Sequence, residues 1–83
     1  MSKWDKLISR IMLMPGDVRF SELKTILESY GYTMSRPRGG SSHCVFRKDG
    51  CFPITIPLHE PIKRVYVKMV RDLIEENRKN ENG

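Results

Sequence analysis

The chain has 83 residues, with 15 Lys and Arg against 10 Asp and Glu, a net charge of +5 and a pI of about 9.5. This length accommodates one domain with one modest core, and it excludes a nucleotide-binding fold joined to a separate substrate domain. With 39% hydrophobic and 30% charged residues, the composition is that of a globular chain, and no window holds the roughly 18 consecutive apolar residues of a membrane span.

The composition also predicts where the protein is located and which class of partner it binds. Asp5 precedes the short apolar run at residues 11–14, so we expect no signal peptide and a cytoplasmic protein that does not bind membranes. The positive charge favours a polyanionic partner, with nucleic acid the first candidate. An idle basic surface explains the same charge.

Two amphipathic helices are predicted before residue 32. Ser2 and Asp5 form a capping-box-like start, and Pro-Gly-Asp at residues 15–17 ends the first helix. The second helix begins near Ser21 and ends at Gly31, which suits a left-handed cap. The residues expected to face the core are Trp4, Leu7, Ile8, Ile11 and Met12 in the first helix, and Phe20, Leu23, Ile26, Leu27 and Tyr30 in the second.

Three strands and a last helix follow. The strands are predicted at residues 32–38, 42–48 and 52–56, with Pro37 limiting the first strand to a sheet edge. A proline-bounded loop at 57–61 leads to a helix over residues 63–77, and a polar, frayed tail covers 78–83. The helix is expected to bury Tyr66, Met69, Val70, Leu73 and Ile74. The chain is therefore predicted to be one α+β domain, with helices packed on one face of a three-stranded antiparallel sheet.

The pairing of the second and third strands has two possible registers. Asp49-Gly50 is a strong signal for a two-residue hairpin turn. Such a turn pairs His43 with Ile56 and places His43 on the same face as Phe52, at the edge of the core. A wider loop or a bulge reverses the faces and turns Phe46 inward. The sequence reasoning leaves both registers open.

Basic residues and exposed backbone donors surround His43. Arg36, Arg38, Arg47 and Lys48 flank it on the strands, and the N–H groups of Gly40, Ser41 and Ser42 could hold a phosphate. Lys63, Arg64 and Lys68 carry charge on the last helix. The cations on the strands and those on the last helix could meet at one sheet edge and bind RNA. The alternatives are an ordinary turn and a solvated charged helix face.

Two histidines and two cysteines are the remaining reactive side chains. His43 is either a catalytic group or a core-edge side chain bonded to a carbonyl. His59 is a second candidate, since Glu60 could orient its ring, and a turn residue is the alternative. Cys44 and Cys51 are expected to be free, buried thiols. Neither cysteine lies in a CxxC spacing, so no metal and no other cofactor is expected.

At these residues the chain resembles a known family. Residues 42–46 (SHCVF), after a glycine-rich turn, are similar to the SHxxF core of HicA-type mRNA interferase toxins. The stretches LKTILESYGY at 23–32 and ITIPLH at 54–59 agree in order and spacing, as does the closing helix after residue 63. The resemblance covers residues 20–76. We place the bounds of the HicA-like core at residues 20–77. The resemblance extends to a subgroup with an additional N-terminal helix, here within residues 1–16.

The resemblance implies a fold similar to the double-stranded-RNA-binding domain and a metal-independent endoribonuclease. It also implies that His43 cleaves single-stranded mRNA as general acid or base, and that an acidic HicB-type antitoxin neutralises the toxin. Two positions depart from the family pattern. Cys44 stands where many members have a second histidine, and Ser41 replaces the usual glycine. The competing interpretations are a non-catalytic RNA-binding module of the same fold and an interaction domain that binds an acidic protein.

Overall fold

The computed structural model of the protein describes residues 2–35 and 42–82. Its elements are α1 (Lys3–Met12), α2 (Phe20–Ser29), β1 (Thr33–Ser35), β2 (His43–Arg47), β3 (Ile54–Pro57) and α3 (Arg64–Asn82). The three strands form one antiparallel sheet in the order β1-β2-β3. The predicted α+β class and element order are confirmed. Four predicted RNA-binding positions, Arg36, Arg38, Gly40 and Ser41, lie outside the described residues.

A polar bridge joins the first two helices. Arg10 Nε donates to Glu22 at 2.7 Å, and the same guanidinium donates to Asp17 at 3.0 Å. This guanidinium lowers the pKa of the Glu22 carboxyl. The other end of that carboxyl accepts the backbone N–H of Arg19 at 2.9 Å, so α2 begins at Phe20, one residue before the predicted start. One acidic side chain thus fixes both the helix start and its contact with α1.

The core lies between the helices and one face of the sheet. Cys44, Phe46 and Ile56 are fully buried on that face, and the Phe46 ring packs 6.0 Å from that of Phe20. The buried residues are Ile8, Ile11, Val18, Leu23, Ile26, Leu27, Tyr32, Cys44, Phe46, Ile56, Ile62, Val67, Val70 and Ile74. Alternate residues of each strand are therefore covered by helices, while the others face away from them.

The observed register is the one with the wider loop. Cys44 pairs with Ile56 and Phe46 pairs with Ile54, so the two-residue register is wrong. The Asp-Gly turn does form, since Cys51 N–H donates to the Lys48 carbonyl at 3.0 Å and Gly50 has a φ of +79°. One additional residue then precedes β3, whose pairing begins at Ile54 instead of the expected Phe52. A one-residue shift moves every side chain of the strand to the other face.

Two prolines explain this register. In the two-residue register, Pro53 and Pro57 would occupy hydrogen-bonded positions opposite β2, where each must donate an N–H that proline lacks. In the observed register Pro57 stands opposite His43. The next residue, Leu58, donates its N–H to the Ser42 carbonyl at 2.6 Å. The nitrogen of Pro57 therefore points away from β2, as an edge strand allows.

The last helix differs from the prediction in length and in its buried stripe. The helix continues to Asn82, so the predicted end at residue 77 is wrong. Met69 was expected in the core, yet 40% of it is exposed, and Val67 is fully buried in its place. At 3.6 residues per turn, Met69 lies roughly 130° around the helix from the centre of the Val67, Val70 and Ile74 stripe. Among the described helices, none is long and apolar enough to cross a membrane.

Candidate functional site

The side of the sheet turned away from the helices carries His43. We call this side the open face; it comprises Thr33, Ser35, His43, Val45, Arg47, Thr55 and Pro57, as the strand pairing defines it. Cys44 and Phe46 lie between these positions on β2 and point into the core. The face is therefore composed of the residues that alternate with the buried ones.

His43 is exposed at the first position of β2. Its strand neighbour is Pro57, and the preceding carbonyl, that of Ser42, is held by Leu58. The interpretation of His43 as a core-edge side chain on the same face as Phe52, Ile54 and Ile56 is therefore wrong. The backbone under the imidazole is fixed by sheet hydrogen bonds, while the side chain is accessible to solvent. The helices do not cover this ring.

The predicted cations divide between two sides of the molecule. Arg47 is exposed on the open face, four residues from His43 on the same strand, a separation of about 13 Å at the usual rise per residue. Lys63 is exposed on the segment that follows β3. Arg64 and Lys68 are exposed on α3, and Lys68 pairs with Asp72 at 3.7 Å. Because α3 packs on the opposite side of the sheet, Arg64 and Lys68 do not share the open face with His43.

Lys48 takes a third position, beyond the end of β2. Its Nζ lies 5.7 Å from the centre of the Tyr32 ring, and its side chain runs beside Gly31. This cation–π contact at the rim of the core gives Lys48 a packing role at the hairpin end of the sheet. A cavity of about 490 Å³ lies at this end, lined by Thr33, Arg47 and the β2–β3 loop among others. The cavity and His43 are thus at opposite ends of β2.

The two cysteines have different environments. Both are free; Cys44 is buried under the sheet and Cys51 is exposed in the β2–β3 loop. The prediction of free thiols is confirmed for both, and the prediction of burial is wrong for Cys51. Burial raises the pKa of the Tyr32 hydroxyl, as does its hydrogen bond to Cys51.

Three hydroxyl side chains of the open face were not predicted as site residues. Thr33 stands opposite Arg47, Ser35 opposite Val45, and Thr55 on the other side of Val45. All three are exposed, and hydroxyls of this kind can donate to phosphate oxygens or to a ribose. The pairing register of the strands identifies these residues, and Pro53 and Pro57 determine the register between β2 and β3.

His59 is exposed beyond the end of β3, and its neighbour Glu60 does not have the role that the sequence suggested. Glu60 Oε1 accepts the backbone N–H of Phe20 at 2.7 Å, and the next contact along the chain is Ile62 N–H to the Val18 carbonyl at 2.9 Å. Glu60 therefore caps the first turn of α2. The expectation that Glu60 orients the His59 ring is wrong.

Among residues 2–35 and 42–82, no group of three or more His, Cys, Asp or Glu side chains could hold a metal ion. Comparison with models of known protein families, with curated proteins and with solved structures found no match for this chain. The resemblance to HicA-type toxins therefore stays a prediction.

Proposed function

We propose that this protein is a metal-independent endoribonuclease that cleaves single-stranded mRNA in the cytoplasm, with His43 as general acid or base. We further propose that it is the toxin of a type II toxin–antitoxin pair and is neutralised by an acidic HicB-type antitoxin. The observation that carries the proposal is the exposed imidazole of His43 on an open sheet face that also bears Arg47. The order and spacing of the HicA-like motifs supply the reaction type.

RNA chemistry suits such a residue. The 2′-hydroxyl of the substrate attacks the adjacent phosphorus, the new O2′–P bond forms, and the P–O5′ bond breaks. The products are a 2′,3′-cyclic phosphate and a 5′-hydroxyl, so no water and no external nucleophile is needed. An imidazole can take the proton from the 2′-hydroxyl or give one to the leaving 5′-oxygen. General acid–base assistance of this kind contributes about 10²–10⁴ in rate.

The charges on the open face support phosphate binding. Arg47 is exposed on the same strand and the same face as His43, so it can contact a phosphate on either side of the one that is cleaved. Thr33 and Ser35 lie beside Arg47 and Val45 on the neighbouring strand, and their hydroxyls can hold ribose or phosphate oxygens. Lys63 adds a cation after β3. Phosphate contacts such as these position a strand without reading its bases.

The test is cleavage of a defined transcript by the purified protein in EDTA, with end-group analysis of the products. We expect 2′,3′-cyclic phosphate ends from the wild type and a loss of about 100-fold or more in His43→Ala. Phe52→Ala is the matched control, because Phe52 is exposed in the β2–β3 loop, outside the open face. Induced expression should stop growth for the wild type and not for His43→Ala. An RNA-binding module would instead bind the transcript and leave it intact, and cleavage that disappears in EDTA would contradict the metal-independent mechanism.

A further inference from the structure

We propose that His59 is a second catalytic residue, which shares with His43 the two proton transfers of RNA cleavage. This inference rests on the proposed function. It concerns the segment after β3, whose regular strand pairing ends at Pro57.

Four residues at and after the end of β3 have contacts on the side of the helices. Ile56 and Ile62 are buried, Leu58 packs against the core, and the Glu60 carboxylate reaches the first turn of α2. All four therefore point toward the helices. The intervening side chains are exposed or half-buried and include Pro57, His59 and Lys63. His59 thus lies between two residues that contact the helix side, and its own side chain is exposed.

The backbone also brings the two histidines close together. The Leu58 N–H is bonded to the Ser42 carbonyl at 2.6 Å, and Pro57 stands opposite His43. His59 comes directly after Leu58, so its backbone lies beside the start of β2, where His43 stands. Neighbouring strands lie about 4.7–4.9 Å apart in the hydrogen-bonding direction. Two imidazoles at that spacing can reach opposite sides of one phosphate group.

The surroundings of His59 leave its ring available for this task. The neighbouring carboxylate, Glu60, is engaged at the Phe20 N–H and directed to the other side of the segment. Lys63 is the next cation along the chain and is exposed, so it can contact the negatively charged phosphate. The anchors at Glu60 and Ile62 hold the segment against the loop that precedes α2, which keeps the backbone of His59 in place.

The reaction involves two proton transfers at two different oxygens. The attacking O2′ and the leaving O5′ lie on opposite sides of the phosphorus in an in-line displacement. One imidazole accepts the proton of the 2′-hydroxyl as the O2′–P bond forms. The other donates a proton to O5′ as the P–O5′ bond breaks. A single ring on β2 reaches only one of these oxygens at a time, and His59 supplies the second ring from the adjacent strand end.

The experiment compares two substrates in single-turnover cleavage. The linkage that the wild type cleaves is mapped first, and an oligoribonucleotide is then made with sulfur in place of the bridging 5′-oxygen at that linkage. A thiolate leaves without protonation, so the sulfur substrate needs no general acid. We expect His59→Ala and His59→Gln to lose about 100-fold or more on the normal substrate. On the sulfur substrate, the alanine variant of one of the two histidines, His43 or His59, should recover activity to within about 10-fold of the wild type. The histidine whose variant recovers is the general acid.

Glu60→Ala is the structural control. It removes the anchor at the Phe20 N–H, so any loss through distortion of the segment should be equal for the two substrates. If His59→Ala shows the same uniform loss, and neither histidine variant recovers on the sulfur substrate, His59 is not catalytic. Wild-type rates in His59→Ala would refute the inference while leaving the proposed function intact. Absence of cleavage by the wild type would refute the proposed function itself.

Discussion

The register of β2 and β3 decides which phenylalanine belongs to the core, and truncation of each gives the sharpest prediction. Phe46 is fully buried and packs against Phe20, whereas Phe52 is 92% exposed in the loop. The two-residue hairpin register places them the other way round. Phe46→Ala and Phe52→Ala make the same chemical change six positions apart, so each is the control for the other.

The two alanine substitutions should lower the free energy of unfolding by very different amounts. Replacement of a buried phenylalanine by alanine costs about 3–5 kcal/mol through lost burial and the remaining cavity. A phenylalanine side chain buries about 150–250 Å² when covered, so the small covered fraction of Phe52 amounts to about 20 Å² at most. At about 25 cal/mol per Å², its loss costs at most about 0.5 kcal/mol.

Urea denaturation followed by far-UV circular dichroism measures both variants. A domain of this size has a total stability of roughly 4–12 kcal/mol, so Phe46→Ala could be unfolded without urea. Phe46→Leu, with an expected cost of about 1 kcal/mol, keeps the comparison measurable in that event. Equal losses for Phe46→Leu and Phe52→Ala, or a larger loss for Phe52→Ala, would contradict the register and the outward placement of His43.

Two further predictions test the helix bridge and the sheet face. The hydrogen bond from Arg10 lowers the pKa of Glu22 from its ordinary value of 4.5. The ionised Glu22 carboxylate therefore stabilises the fold above pH 4.5, and this stabilisation is lost as the pH falls through the lower pKa of the folded state. Glu22→Gln should therefore have a lower free energy of unfolding than the wild type at neutral pH and the same free energy in acid. Glu28→Gln, which removes a charge from an exposed ion pair, should differ little from the wild type at either pH. A stability difference between Glu22→Gln and the wild type that does not depend on pH would contradict this assignment. A thiol reagent should label Cys51 rapidly in the native protein and Cys44 only after unfolding; two rapidly labelled thiols in the native state would contradict burial of β2.

The helices and the fold class could be predicted from the sequence because apolar periodicity and end signals agree in α1 and α2. Ser2 accepts from the Asp5 N–H as a capping residue should, and Gly31 has the positive φ expected after a helix, +95°. The end of α3 could not be predicted, because its polar last turns have no apolar periodicity and no stop signal before residue 82.

The candidate site was only partly predictable. The Asp-Gly signal correctly predicts a turn but leaves two registers open, and the missing N–H groups of Pro53 and Pro57 exclude the two-residue register. The wider-loop register would have placed His43 on the open face from sequence alone. The engagement of Glu60 with Phe20 could not be foreseen, because it joins residues 40 positions apart and depends on how the segment after β3 packs against α2.

The central claim is that His43 performs chemistry instead of only contributing to binding. The most direct measurement is the single-turnover cleavage rate of one short RNA by the wild type and by His43→Ala, with the dissociation constant measured for the same RNA at the same salt concentration. We predict that the rate falls by about 10²–10⁴ while the dissociation constant changes by less than about threefold. An unchanged rate, or a rate loss fully explained by weaker binding, would contradict the claim.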